Sequence, residues 1–311
     1  MKTKLIAVAA IATSLTMGLS GCGSSDSSAS EGDGTIASKM IFGGPPEFKT
    51  RTDGIPGLEK NYGVSFGKYK VTDTGGPVTV NALKQGQVDA VDLFTTDPAI
   101  EANDFVILED PKANFAAQNI VPIINKEKAT DGVNTVLNGV QAKLTTDGVR
   151  ELISKVANDK EDPADVAKGF LADNGLDATG TSAKGTSLTV GSANFPENVI
   201  LANIYAEALK AQGAKIKTKL NIGSREKYYP ALESGSLDLF PEYTGTILVY
   251  LDKAATATTP EDVYAALVKT LPPNLIALEQ AAAQDSDAVV VTKETADKFK
   301  LKTIADLAKK G

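Results

Sequence analysis

Two distant stretches of this sequence repeat one pattern, and the repeat constrains the fold more than any other feature. Residues that recur at identical spacing are Ala82, Leu83, Gly86, Asp89, Phe94 and Thr95, matched by Ala231, Leu232, Gly235, Asp238, Tyr243 and Thr244. In each copy a helix is predicted to end at the Gly, and a short apolar strand then leads to the aromatic residue. Ligands bind at the carboxyl ends of strands in open α/β sheets. The repeat therefore predicts two similar lobes with Phe94 and Tyr243 on opposite walls, unless this joint between helix and strand recurs by chance.

The remaining sequence also favours α/β lobes. Apolar runs predict strands at Met40–Phe42, Phe105–Leu108, Ile120–Ile124, Ser187–Val190 and Ala288–Val291. Amphipathic stretches predict helices at Thr145–Asn158, Asn198–Gln212 and Pro260–Leu271, and Pro163 opens a further helix. Residues 174–186 are small and polar, which predicts a linker.

The composition excludes several kinds of chemistry. The 311 residues include no His, no Trp and a single Cys, Cys22. Metal sites made of imidazole and thiolate, and catalysis by Ser-His-Asp or Cys-His, therefore cannot form. Carboxylate chemistry, lysine chemistry and oxygen-ligated Ca²⁺ or Mg²⁺ remain possible, but we predict no catalytic residue, metal or cofactor. The net charge of −7 argues against nucleic acid as a partner, because binding phosphates needs clustered Lys and Arg.

The first residues predict export and a lipid anchor. Lys2 and Lys4 precede an apolar run, Leu5–Leu19, that is shorter than the ~20 residues of a membrane-spanning helix. The following Leu19-Ser-Gly-Cys22 resembles the lipobox of bacterial lipoproteins. That resemblance implies a signal peptide at 1–21, attachment of lipid to Cys22 and a flexible tether at 22–36. The alternative is an ordinary signal peptide with an accidental Cys.

Longer motifs resemble the substrate-binding proteins of ABC importers for glycine betaine, choline and carnitine. The segments Leu188–Glu197, Asn221–Glu226 and Asp238–Thr246 are similar to the first half of that family. The second half is resembled by Phe42–Phe48, Arg51–Gly54, Gly57-Leu58, Tyr62-Gly63, Asp89–Asp97 and Leu108–Asp110. The resemblance implies a two-lobed α/β fold of the type II periplasmic-binding-protein kind, with a ligand cleft between the lobes.

The two halves stand in reversed order, so the chain resembles a circular permutant of that family. We then expect one lobe, which holds the new termini, to comprise 37–97 plus 290–311. The other lobe comprises 98–175 plus 187–289, and the linker at 174–186 joins the family's usual termini. Permutation is tolerated where the old termini are close and the new ones are exposed. A competing account is an artefact of gene fusion or gene prediction, with the true protein running past Gly311.

The family resemblance implies a set of ligand-binding residues. Family members hold trimethylammonium groups in a cage of tyrosines, whose electron-rich faces attract cations. The first cage position falls on Tyr243, with Thr246 beside it. Further positions fall at Asp285 and Asp287, Phe94 and Gln118, and Arg51 matches the residue that pairs a ligand carboxylate. Ala193 and Asn194 stand in the motif where the family carries residues near the ligand.

Two cage positions that are often Tyr in the family are Asp287 and Gln118 here. A buried carboxylate needs a partner, so either Asp285 or Asp287 is expected to pair with Arg51 across the closed cleft or to meet a cationic ligand. The alternative leaves one or both at the solvated rim. A cation that also carries hydrogen-bond donors fits these side chains better than glycine betaine does.

The sequence therefore predicts an extracytoplasmic lipoprotein that captures a small cationic or zwitterionic solute, such as a quaternary amine, and delivers it to an ABC permease and its ATPase. It is anchored at the membrane through Cys22. One alternative is a sensory or scaffold lipoprotein without a role in transport. Another is an enzyme that uses Asp285 and Asp287 as an acid and base pair, although no nucleophile or metal motif accompanies them.

Overall fold

Two five-stranded sheets organise the residues that the computed structural model describes, which are 34–73, 75–223 and 225–311. The strands are β1 Ile41–Gly44, β2 Lys68–Val71, β3 Ala90–Phe94, β4 Phe105–Ile107, β5 Ile120–Asn125, β6 Ser187–Gly191, β7 Lys215–Lys219, β8 Leu239–Tyr243, β9 Leu275–Ala277 and β10 Asp287–Thr292. The helices are α1 Ile55–Tyr62, α2 Pro77–Lys84, α3 Ala99–Ala102, α4 Asp131–Gln141, α5 Thr146–Ala157, α6 Pro163–Asp173, α7 Pro196–Ala211, α8 Arg225–Glu233, α9 Thr244–Leu251, α10 Pro260–Thr270 and α11 Lys293–Phe299.

The two sheets have equivalent strand orders. One runs β2-β1-β3-β10-β4 and defines what we call the termini lobe; the other runs β7-β6-β8-β5-β9 and defines the central lobe. In both, the first three strands are parallel, and the fourth is antiparallel to its two neighbours. The chain passes between the lobes twice, once before β5 and once before β10. The expected two-lobed α/β fold is confirmed.

Sheet pairing places the lobe boundaries differently from the sequence-based expectation. Strand β4 pairs with β10, for example Val290 with Ile107, and so belongs to the termini lobe. The sequence analysis placed residues 98–107 in the other lobe, and this pairing shows instead that they belong to the termini lobe. Asp287 pairs with Phe94, which moves the start of β10 into the termini lobe as well. The reason is that a boundary at 290 cuts strand β10, and a boundary at 97 separates β4 from β10, its partner in the sheet. This pairing joins segments that are far apart in the chain.

The sequence repeat has a structural cause. Asp89 Oδ2 accepts a hydrogen bond from the Ile41 amide at 2.8 Å, and Asp238 Oδ2 accepts one from the Thr189 amide at 2.7 Å. Each Asp thereby ties the turn after a helix to the neighbouring parallel strand. The preceding Gly86 and Gly235 have φ of +65° and +75°, a region that favours glycine. Both copies therefore make the same connection between helix and strand, in sheets of equivalent strand order.

Most predicted elements are present, and their ends carry the expected signals. Helices α4, α5 and α10 begin after Thr130, Thr145 and Thr259, whose hydroxyls accept hydrogen bonds from amides of the first turn; such caps contribute about 1 kcal/mol each. The prediction missed the edge strands β2 and β7, whose sequences are KYKV and KIKTK. Lysines on an edge strand hinder pairing with other chains, but they also hide the apolar pattern of a strand.

Residues 34–36 belong to the fold, contrary to a tether that extends to 36. Ile36 is only 4% exposed, and its amide donates to the Lys309 carbonyl at 2.8 Å. The Gly311 amide donates to the Gly34 carbonyl at 3.0 Å, so both ends of the described segment meet. The predicted signal peptide, Cys22 and residues 22–33 of the predicted tether lie outside the described residues.

The segment between α6 and β6 contains the predicted linker. It has no helix or strand, yet the Gly180 and Ala183 amides donate to carbonyls at the end of α7, at 2.9 and 3.0 Å. In the described part of the chain, no helix is long and apolar enough to cross a membrane.

Candidate ligand-binding site

A cavity of about 880 Å³ lies between the two lobes. Its volume falls within the range of small-molecule sites. From the termini lobe and its loops it is lined by Gly75, Gly76, Pro77, Val80, Asn81, Phe94, Thr96, Asp97, Pro98, Ala99, Ala102, Asn103 and Asp287. From the central lobe and the connecting segment it is lined by Gln118, Ile153, Ala157, Asn158, Phe195, Pro196, Glu197, Tyr243, Thr246 and Asp285.

The described lining of the cavity is acidic. Four of the described lining residues are acidic: Asp97, Glu197, Asp285 and Asp287. No described lining residue is Lys or Arg. Because carboxylates removed from water need a cationic or hydrogen-bonding partner, this cavity favours a positively charged ligand.

Tyr243 and Glu197 form the central-lobe wall. Tyr243 ends strand β8 and is 7% exposed; its hydroxyl donates to Glu197 Oε1 at 2.7 Å. Glu197 lies in the first turn of α7, which Pro196 opens, and is 4% exposed. Burial, and then the nearby charge of Asp285, raise the pKa of Glu197 well above its usual value. Phe195 adds a second ring, with its centroid 6.1 Å from that of Tyr243.

Asp285 lies on the segment that connects the lobes, where Thr96 of the termini lobe donates to its Oδ1 at 2.8 Å. Burial raises the pKa of Asp285 to about 6, although the Thr96 hydrogen bond opposes the shift. Burial also raises the pKa of Asp97. A cation in the cavity would favour the charged form of both carboxyls.

A buried ion pair supports the junction between β8 and α9. Glu242 is fully buried and accepts hydrogen bonds from Arg225 at 3.0 and 2.8 Å and from Tyr228 at 2.8 Å. Arg225 also donates to the Thr246 hydroxyl at 2.9 Å, and the Thr246 amide donates to Gln118 at 2.9 Å. Glu242 therefore supports the cavity without lining it.

Gly245, in the first turn of α9, allows the close approach of the segment that carries Ala117 and Gln118. A Cβ at this position would lie 2.6 Å from the Ala117 carbonyl oxygen and 3.0 Å from Gln118 Nε2. A larger residue would push Gln118 away from Thr246.

Arg51 is engaged by acids of its own lobe. Its Nε lies 2.6 Å from Asp53, and its Nη2 lies 2.7 Å from Asp287. Burial alone would lower the pKa of Arg51, but the charges of Asp287 and Asp53 outweigh it and raise the pKa. Buried Asp92 lies beside this group, and burial, followed by the charge of Asp287, raises its pKa well above normal. The expected pairing of Arg51 with an Asp exists, but within the termini lobe and not across the cleft.

The two connecting segments run side by side. Asn119 and Gln284 form an antiparallel bridge, and the Asp285 amide donates to the Gln118 carbonyl at 3.1 Å. Arg150 of α5 donates to the Thr95 carbonyl at 2.6 Å and so ties the central lobe to the end of β3. Paired crossovers of this kind can serve as a hinge between lobes.

Six sequence-predicted residues line the cavity: Tyr243, Thr246, Asp285, Asp287, Phe94 and Gln118. Three others do not, because Arg51 is held by carboxylates, Ala193 is 4% exposed within a hydrophobic core, and Asn194 is exposed beside the cavity lining.

Among the cavity residues that the sequence analysis missed are the polar or aromatic side chains of Thr96, Asp97, Phe195 and Glu197. Phe195 and Glu197 stand in the quoted motif Leu188–Glu197, next to the Pro that opens α7. A Glu directly after a Pro that opens a helix lies in the first turn of that helix. This position was the sequence signal that could have identified Glu197. In the described residues, no group of three Asp, Glu, Cys or His side chains is placed to hold a metal ion.

Parts of this chain are similar in sequence to two curated glycine betaine-binding proteins. At 26% identity, 152 residues match the glycine-betaine-binding protein of Pseudomonas aeruginosa, covering 48% of this chain and 49% of that protein. At 32% identity, 124 residues match the glycine betaine-binding protein YehZ of Escherichia coli, covering 39% of this chain and 41% of that protein. The chain thus matches half or less of the length of these curated relatives.

A solved structure, the L-cystine solute receptor of Neisseria gonorrhoeae in its unliganded open conformation, is similar with a TM-score of 0.43 at 14% identity, covering 88% of this chain and 87% of that one. The family model described as the substrate-binding domain of ABC-type glycine betaine transport systems matches residues 29–173 and 186–311. This match spans most of the chain and leaves out the linker, and the chain therefore belongs to that family of substrate-binding domains.

Proposed function

We propose that this protein captures a small cationic or zwitterionic solute, of the quaternary-amine class or related to it, and delivers it to an ABC permease outside the cytoplasm. The observation that carries the proposal is the cavity between the lobes, lined by four carboxylates and by Tyr243, Phe94 and Phe195. Aromatic faces and carboxylates both attract a desolvated cation, and a cation–aromatic contact contributes up to about 2 kcal/mol. The family and the names of the glycine-betaine-binding relatives support the same solute class.

In this proposal the ligand first binds one wall, and closure about the paired crossovers then brings Phe94 toward Tyr243 and Glu197. Closure is favoured only by the additional contacts that the ligand makes in the closed state. The closed form is the one that docks on the permease, whose ATPase drives import. Binding occurs without turnover of the solute.

A thermal-shift screen followed by calorimetry tests the proposal, since a ligand that binds only the folded state raises its stability. The panel contains glycine betaine, choline, primary amines, polyamines and, as negative controls, dicarboxylates. At least one cation or betaine should bind with 1:1 stoichiometry and be recovered unchanged by mass spectrometry. If only anions stabilise the protein, or if the ligand is converted, the proposal fails.

We also propose that Cys22 carries a lipid that holds the protein at the outer face of the cytoplasmic membrane. The motif Leu19-Ser-Gly-Cys22 supports this. Mass spectrometry of protein from bacterial membranes should find a diacylglyceryl mass on an N-terminal Cys22. Cys22→Ser should release the protein into the soluble fraction; a Cys22→Ser protein that stays at the membrane contradicts the anchor.

Finally, we propose that the chain is a circular permutant. The support is the reversed order of the family-like motifs and the contact of residues 34–36 with 309–311. A reordered chain that starts at residue 187, joins 311 to 34 and ends at 173 keeps the buried Ile36 and should fold and bind with unchanged affinity. If that chain fails to fold while the original order folds, the permutation proposal is wrong.

A further inference from the structure

We infer that the cleft selects an organic cation whose charged end carries N–H donors and whose body is apolar, and that it rejects ligand carboxylates. This inference rests on the proposed function and narrows its solute class. It differs from a preference for permanently methylated ammonium groups, which have no N–H to donate.

The first argument is the supply of buried acceptors. Glu197 is 4% exposed and receives a hydrogen bond from Tyr243, and Asp285 receives one from Thr96. A cation in the cavity favours the ionised form of both groups. An ionised carboxylate has about four lone-pair sites, so one donor each leaves both groups able to accept more. When closure removes water, a ligand without N–H groups would leave these acceptors unsatisfied, which costs more than the lost contact itself.

The second argument is that the described lining offers no cationic side chain to a ligand carboxylate. Arg51 matches the family residue for that task, but Asp53 and Asp287 hold it at 2.6 and 2.7 Å. Arg51 does not line the cavity, and the described lining contains no Arg and no Lys. A ligand carboxylate in this cavity would face Asp97, Glu197 and Asp285, and like charges repel.

The third argument is the character of the remaining wall. Away from the carboxylates the cavity is lined by apolar side chains that include Val80, Ile153, Phe94 and Phe195. The volume of about 880 Å³ leaves room beyond a single ammonium group. An apolar or aromatic body attached to the cationic end would cover these side chains and remove them from water.

The experiment compares two matched pairs by calorimetry near neutral pH. Ethanolamine and choline share one body, and phenethylamine and phenethyltrimethylammonium share another. The protonated amine should bind about tenfold or more tightly than its trimethylated partner, and the phenethyl pair should bind more tightly than the ethanol pair. Glycine betaine should bind more weakly than choline.

Glu197→Gln is the decisive variant, because the amide keeps the size of the side chain and an oxygen that can accept from Tyr243. It should weaken amine binding about tenfold or more and trimethylammonium binding by less, because the trimethylated ligand loses the attraction of the charge but no hydrogen bond. Glu233→Gln is the control, since Glu233 is exposed and does not line the cavity, and it should leave every affinity unchanged.

The outcomes separate this inference from the proposed function. Tighter binding of the trimethylated partner, or of glycine betaine, overturns the inference and leaves the proposed function standing. An unchanged amine preference in Glu197→Gln also overturns it. If none of the panel's cations or betaines binds, the proposed function fails and the inference fails with it.

Discussion

Tyr243 donates its phenolic hydrogen to Glu197 at 2.7 Å, and this bond joins the end of β8 to the first turn of α7. Both residues line the cavity between the lobes. The hydrogen bond fixes the aromatic ring beside a buried carboxylate, so one wall presents an electron-rich face and an anionic acceptor to the same ligand.

Truncating Tyr243 should weaken binding. Tyr243→Ala removes the ring and the hydrogen bond, and we expect an affinity loss of about tenfold or more. Tyr243→Phe keeps the ring and should lose less. Calorimetry with the tightest ligand of the panel measures both. Tyr264→Phe is the control, because it removes a hydrogen bond to the Leu278 carbonyl outside the cavity. Unchanged affinity in Tyr243→Ala would contradict the site.

Ligand affinity should fall on acidification. Burial raises the pKa of Asp285 to about 6 and moves that of Glu197 in the same direction. A bound cation favours their ionised forms and lowers these pKa values, so binding releases protons. Affinity should therefore decline as pH falls through about 6. Asp285→Asn should flatten the calorimetric pH profile on its acidic side; a profile that keeps its slope would exclude Asp285 as the titrating group.

The stability of the ligand-free protein should show the opposite dependence on pH. The folded-state pKa of Asp285, about 6, lies above its ordinary value of 3.8. The folded state then binds the proton more tightly than the unfolded state. The contribution of Asp285 is complete below the ordinary value and is lost as pH rises through about 6. Urea unfolding of Asp285→Asn should lack this decline; equal slopes in both proteins would contradict the assignment.

Substituting Arg51 separates two possible roles. If Arg51 only neutralises Asp287 and Asp53, Arg51→Gln should lower the free energy of unfolding by about 1 kcal/mol, since the pair is partly exposed. It should also strengthen cation binding, because the cavity becomes more negative. Calorimetry and urea unfolding measure these effects. A large loss of binding of a carboxylate-bearing ligand would instead assign Arg51 to ligand recognition.

The repeated aspartates should contribute similarly to the two lobes. Asp89→Ala and Asp238→Ala each remove the acceptor of one amide, from Ile41 and Thr189. An amide that loses its partner costs about 1–3 kcal/mol. Urea unfolding should show both losses, with Asp177→Ala, which is exposed and lies outside the repeat, as the control. A loss in only one lobe would contradict the structural equivalence.

Much of the fold follows from local patterns. Gly86 and Gly235 require a left-handed conformation, and Asp89 and Asp238 follow at a fixed distance, so the repeat was visible without coordinates. The lobe boundaries could not be recognised from the sequence, because β4 and β10 pair through contacts between segments that are far apart in the chain. Edge strand β7 was hidden for a different reason, since its lysines mask the alternation of apolar residues.

The sequence by itself determined two α/β lobes and placed Tyr243 and Phe94 at equivalent strand ends, because helix caps, turns and strand patterns are local properties. Only the tertiary structure decided the electrostatics of the cleft. Glu197 lines the cavity because α7 packs against β8. Arg51 does not line it, because Asp53 and Asp287 bind its guanidinium group. Burial and charge pairing depend on which distant side chains the fold brings together, and no spacing along the chain encodes them.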